Sequence, residues 1–274
     1  MRSVEQPGPP APERIQWVEA RGRAFTFTLE AGLPLLDAAR RGFAAAGFAG
    51  GTLNIKSGAL GPFAYVMPAL SKTGANAAFY SDTFRPAGVT RLKIGAMTLG
   101  ARDGAPFFHC HALWTEADGR SNGGHILPEE TVVAEPFEVE AFGIDGALFV
   151  AEPDPETNFK LFGPVANEAA NPQTTSRAFA LRLRPNQDFA GALETFCRST
   201  AFSAPASMAA SAARSARNSP MAAAWCRSRP NSRSAPAPSP KAPAARWKPN
   251  WISRWSIISA TSPRAACCAA IIRC

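Results

Sequence analysis

FHCHALWTEADGRSNGGHILPEETVVAEPFEVE, residues 108–140, carries the strongest structural signal in the chain. Apolar and polar residues alternate through FFHCHALW, the period of a strand with one face buried. His109 and His111 then project from the same face, roughly 6.5 to 7 Å apart at Cα from the rise per residue. Asp118-Gly119 is a turn pair that sends the chain back through SNGGHI. Gly123 and Gly124 allow positive φ or a close backbone approach just before His125. In TVVAEPFEVEAFGI, residues 131–144, Phe137, Val139 and Ala141 oppose Glu138 and Glu140, which predicts another half-buried strand.

Further strands lie on either side. RAFTFTLEAG, residues 23–32, alternates Phe25, Phe27 and Leu29 with Ala24, Thr26 and Thr28. LPLLDAARRGFAAAGF follows, with Leu35, Leu36, Ala39 and Phe43 at helical spacing and Arg40 and Arg41 free to face solvent. Residues 52–70 read as apolar strands, 71–90 as a polar excursion, and 91–100 as a strand. GALFVAEPD and NFKLF supply the last two strands of the unit. Many strands, few helices and short turns predict an α/β fold on a largely antiparallel or mixed sheet.

RAFALRLRPN, residues 177–186, repeats RAFTFTLEAG at an offset of 154, pairing Arg23 with Arg177 and Phe25 with Phe179. A helix-like QDFAGALETFCR comes next, with Phe189, Leu193, Phe196 and Cys197 on one face. Within a few residues of Cys197 the composition changes abruptly. No Leu follows Leu193, no Gly follows Gly191 and no Val follows Val165. Ala, Ser, Pro and Arg dominate from Ser203 to Cys274, as expected of a GC-rich gene read out of frame. Such a tail lacks the alternating apolar faces needed to offset the entropy of ordering a core. The expected organisation is a flexible leader at 1–19, Pro-rich over most of its length, a first domain at 20–162 and a linker at 163–176. A truncated second copy occupies 177–202, and a disordered, frameshifted tail 203–274.

The charge divides at the same place. The chain carries +8 overall, but its last 72 residues hold 11 basic residues and no acid. The first 202 hold 18 basic and 21 acidic residues, a net charge of −3. Basic chains attract phosphates by counterion release, and here that excess belongs to the tail. The six cysteines show no disulfide or C-x-x-C zinc spacing. The N-terminus lacks the apolar core of a signal peptide, and no run approaches 18 apolar residues, so a cytoplasmic protein without a membrane partner is expected.

His109, His111 and His125 are the only histidines and share a 17-residue window. An H-x-H pair alone more often serves structure than metal. The third histidine favours a site for zinc or another divalent transition metal, because three neutral imidazoles leave a coordination position open. Cys110 points to the opposite strand face and is expected to be a small buried residue. Glu129 and Glu130, just past His125, are the candidate general bases, with solvated surface carboxylates as the plainer alternative.

These residues, with the RAFTFTLEAG strand and the helix after it, resemble the plant and prokaryote conserved (PPC) domain family. There an arginine-aromatic strand opens the domain, and an H-x-H strand leads through a turn to G-G-H-L; Ile126 stands in place of that Leu. The resemblance covers about 20–162 and again 176 to about 198. It implies a central, mainly antiparallel sheet with flanking helices, assembly into trimers, and a metal held by His109, His111 and His125. Plant relatives join the domain to AT hooks and act on DNA. Here Arg21-Gly22-Arg23 is followed by Ala24 rather than Pro, and RSRP at 227–230 lacks the Gly, so neither is a hook. Three functions follow: a metal-binding, oligomerising domain with a small-ligand or hydrolytic role, a DNA-associated regulator, and a scaffold whose histidines are structural.

Overall fold

The computed structural model describes residues 5–69, 71–168, 171, 172, 174 and 176–200, together with the backbone of two strands at 207–213 and 267–273. Strand β1 (Ile15–Leu29) leads into helix α1 (Leu35–Ala45). β2 (Gly50–Ile55), β3 (Gly58–Leu60), β4 (Tyr65–Val66), β5 (Pro68–Ala69) and β6 (Phe79–Tyr80) follow. Next come β7 (Thr90–Arg102), β8 (Ala105–Thr115), β9 (Ser121–Ile126), β10 (Val133–Glu135) and β11 (Phe137–Asp145). β12 (Ala147–Asp154) and β13 (Phe159–Ala166) precede β14 (Ser176–Leu183) and α2 (Phe189–Ser199), and β15 (Ser207–Ala213) and β16 (Cys267–Arg273) end the series.

One sheet runs β14-β1-β11-β2-β7-β8-β9-β4, antiparallel along that path, with a short parallel contact of β12 to β7 beside it. The mainly antiparallel α/β architecture expected from the sequence is present. Odd-numbered residues of β1 point to the helices: Trp17 packs on Phe196 of α2, and Phe25 on Phe43 of α1. Both helices therefore cover one face. Its core joins Leu35, Ala39 and Phe43 to Leu53, Met97, Phe108, Cys110 and Trp114. On the other face the β12–β13 hairpin brings Phe149 and Phe162 onto Phe142, Ile144, Ala20 and Ala178. The histidines stand on this same face, outside that apolar cluster.

β1 begins eight residues before the predicted Arg23. Residues 15–19, expected within a flexible leader, are strand because β14 supplies a second ladder that pairs Ile15 with Leu183 and Gly22 with Ser176. The chain before them is also anchored. Gly8 donates to the Glu156 carbonyl, and Arg14 grips the Glu156 carboxylate at 2.9 and 3.0 Å. β14, expected to open a second copy, thus extends the sheet through β1. A buried ion cluster ties it down, with Arg182 2.5 Å from Asp154 and Arg184 on the same carboxylate oxygen. β13 continues to Ala166, beyond the expected start of the linker at 163, because it pairs with β12 as far as Ala147.

Within the expected tail, β15 and β16 are strands, β16 pairing with β14 and β15 with β16. β16 pairs with the edge that β14 would otherwise leave open, and main-chain pairing there asks little of side-chain pattern. The rest of the segment expected as a disordered, out-of-frame tail lies outside the described residues.

Candidate metal centre

β8 sets the site. Its even-numbered residues Phe108, Cys110, Ala112 and Trp114 are buried against the helix-side core, which forces Phe107, His109, His111 and Leu113 onto the opposite face. The 118–119 turn returns the chain as β9, where His125 stands directly across from His111. Residues 121–126, expected as a Gly-rich segment after the turn, are a paired strand. Gly124 meets the close-approach expectation: a Cβ there would lie 2.7 Å from the Val66 carbonyl oxygen and 3.3 Å from Trp114. A side chain at 124 would push β9, and His125 with it, away from β4.

The three rings converge. Centroids lie 4.8 Å apart for His109 and His111, 4.8 Å for His109 and His125, and 5.3 Å for His111 and His125. One ligand nitrogen from each falls within 4.8 Å of the others, and among the described residues these three are the cluster able to hold an ion. Tetrahedral zinc with bonds of about 2.0–2.1 Å would need nitrogens about 3.3 Å apart, so the rings must close somewhat on an ion.

His125 is buried, and His109 and His111 are half-buried. Burial, reinforced by the neighbouring imidazoles, holds His109 well below the ordinary histidine range. Burial first and His125 second lower His111 to about 3, and burial lowers His125 to about 4. All three are neutral at pH 7, the form that donates a lone pair to a metal. Nε2 of His111 and Nδ1 of His125 are sealed from water with no hydrogen-bond partner, as is the hydroxyl of Thr98 directly opposite His109. Buried polar atoms without partners are destabilising, and coordination or a bound water would satisfy them. The donor set therefore fits a borderline divalent ion.

Cys110 lies on the core face as expected, its thiol pushed up to about 12 by burial. Glu129 and Glu130 are exposed on the loop after β9 and are not among the clustered ligands. Glu130 instead forms a fork with Arg85 at 2.5 and 2.7 Å. The neighbour that periodicity missed is Tyr80, whose ring lies 5.8 Å from that of His125. Its signal was an aromatic pair, Phe79-Tyr80, inside an otherwise polar excursion. Asp118 is a turn residue, accepting from the Arg120 backbone at 3.0 Å. A separate hollow of about 670 Å³ lies between α1 and the β7–β8 turn, bordered by Asp37, Arg40, Arg41 and Pro106, away from the histidines.

No protein-family model matches the chain, and no curated protein matches it. Solved structures do. A metal-containing protein from Archaeoglobus fulgidus is 19% identical, covering 52% of this chain and 94% of its own, at a TM-score of 0.42. A plant- and prokaryote-conserved protein from Pyrococcus horikoshii is 18% identical, covering 55% and 97%, at 0.43. A protein from Bacteroides thetaiotaomicron with a provisional DNA-binding label is 13% identical, covering 54% and 96%, at 0.38. One of these three, the Pyrococcus horikoshii protein, bears the name of the family that residues 108–140 resemble. Among the described residues, no helix is long and apolar enough to cross a membrane.

Proposed function

We propose that His109, His111 and His125 together hold one zinc or other divalent first-row ion, in a domain that self-associates and offers the remaining coordination position to a small ligand. The observation that carries this is the convergence of three neutral imidazoles within 4.8 Å, two of them with a sealed, unpartnered nitrogen. When bound, such an ion supplies Lewis acidity and a lowered pKa to a water in the open position. β8 orients two of the ligands, and Gly124 lets β9 approach closely enough to supply the third. The exposed Glu129 and the Arg85-paired Glu130 read as surface carboxylates, so a base for hydrolysis is not assigned to them.

The metal content of the purified full chain, measured by elemental analysis, tests the assignment. About one zinc or similar ion per chain is expected, and a His109→Ala, His111→Ala variant that folds should carry none. Metal-free protein that cannot be loaded, or a double variant with unchanged content, would refute it. DNA is the second reading, favoured only by the provisional labels of two structural neighbours. The first 202 residues are net negative, which gives them little counterion-release affinity. For the tail we keep the out-of-frame origin proposed from its composition.

A further inference from the structure

Beside the histidines lies an aromatic shelf. Phe79 and Tyr80 are 52% and 45% exposed, large apolar surfaces left in solvent next to a buried polar cluster. Tyr80 lies 6.0 Å from Phe159 and Phe79 6.3 Å from it, ring centroid to ring centroid, while Tyr80 abuts His125. Four ties hold the shelf. β4 pairs Val66 with His125, and β5, two residues on, pairs Pro68 with Tyr80. Asn76 donates to the Thr157 carbonyl at 3.1 Å, and Asn158 to the Ala75 carbonyl at 2.8 Å, clamping the excursion to the β12–β13 turn. The rings are thus placed before any ligand arrives, which lowers the ordering cost of binding.

Charge narrows the occupant. Three neutral imidazoles leave the full charge of a divalent ion uncompensated, so the site favours an anion. The rim has the same sign. Arg102 lies 5.2 Å from the ring of Phe107, which shares the strand face of His109, and Arg102 and Lys160 both pair with the single carboxylate of Asp103. A carboxylate suits the centre, and a flat apolar body suits the rings beside it.

We infer that the histidine cluster and its aromatic shelf form one site for a small aromatic carboxylate, the acid group toward the histidines and the ring against Tyr80 and Phe159. This rests on the metal assignment above, and the test separates the two. The full chain is loaded with cobalt(II) and titrated with benzoate and, separately, acetate, following the visible cobalt bands. Benzoate should shift the bands at concentrations at least about tenfold lower than acetate. Tyr80→Ala and Phe159→Leu, made singly, should each weaken benzoate several-fold while leaving cobalt stoichiometry and the acetate response unchanged. Equal responses to the two acids, or a benzoate preference that survives both substitutions, would overturn the inference with the metal site intact. A substitution that alters the oligomeric state by sedimentation while the preference survives would also overturn it, assigning the shelf to contact between copies. Absence of any cobalt band at equimolar metal would instead strike the metal assignment itself, and this inference with it.

Discussion

Acid should destabilise the metal-free protein well above the range in which its carboxylates titrate, and His125 sets the size of the effect. Its folded pKa of about 4 lies below the ordinary value of 6.5, so the unfolded chain binds this proton more tightly. A group with a depressed folded pKa stabilises the fold fully above its unfolded value, and that contribution is lost as pH falls toward the folded one. For His125 alone, going from pH 7 to pH 5 removes about 2 kcal/mol at about 1.4 kcal/mol per unit. His111, held at about 3, acts in the same direction. Asp154 is held below 3.8 by Arg182 and Arg184 against the cost of its burial, so its loss falls at lower pH. Urea unfolding of the metal-free full chain, followed by far-ultraviolet circular dichroism at pH 7, 6 and 5, measures this. The wild type should lose about 2 kcal/mol or more, and His125→Gln should lose about 2 kcal/mol less over the same interval. Equal stability at pH 7 and pH 5, or an unchanged loss in the variant, would refute the assignment of a buried neutral imidazole.

Four other outcomes are expected. Zinc at about a hundredfold its dissociation constant should raise the unfolding free energy by about 2.7 kcal/mol, read from the same urea curves, and His111→Ala should abolish the gain. Asp154→Ala strips the carboxylate from Arg182, whose side chain is 5% exposed, and should cost about 3–5 kcal/mol in urea unfolding, with earlier proteolysis within β14 and α2. Gly124→Val, forced against the Val66 carbonyl, should destabilise the fold by about 1–3 kcal/mol and weaken zinc binding by calorimetry, whereas Gly74→Ala, where a Cβ meets nothing and φ lies outside the left-handed region, should leave zinc binding unchanged. Glu130→Ala should leave metal content and thermal midpoint unchanged, since Glu130 is exposed and its ion pair with Arg85 is solvent-accessible.

Period two was legible in β8 and in the first half of β11, where one face meets a core; from Ala141 to Ile144 both faces of β11 are buried. The burial of Phe108, Cys110, Ala112 and Trp114 follows the alternation residue by residue. α1 was legible for the same reason, Leu35, Ala39 and Phe43 being buried while Arg40 and Arg41 stay exposed. The early start of β1 was not, because ARGRA and the residues before it lack strict alternation and are strand through a partner more than 150 residues away. Tyr80 and Phe159 lie far apart in sequence and in no shared pattern, so nothing local announces that they meet beside His125.

The sequence by itself determined the candidate ligands, the strand face they share and the turn that returns His125 toward them, since strand periodicity and turn chemistry are local. It also determined where ordinary composition ends, near Cys197. Only the tertiary structure decided that His125 stands opposite His111 rather than one residue out of register, that Glu129 and Glu130 face solvent, and that an aromatic shelf adjoins the cluster. Those outcomes depend on strand pairing and on hairpin packing between segments distant in the chain, and a one-residue slip in that pairing would turn every side chain of β9 to the other face.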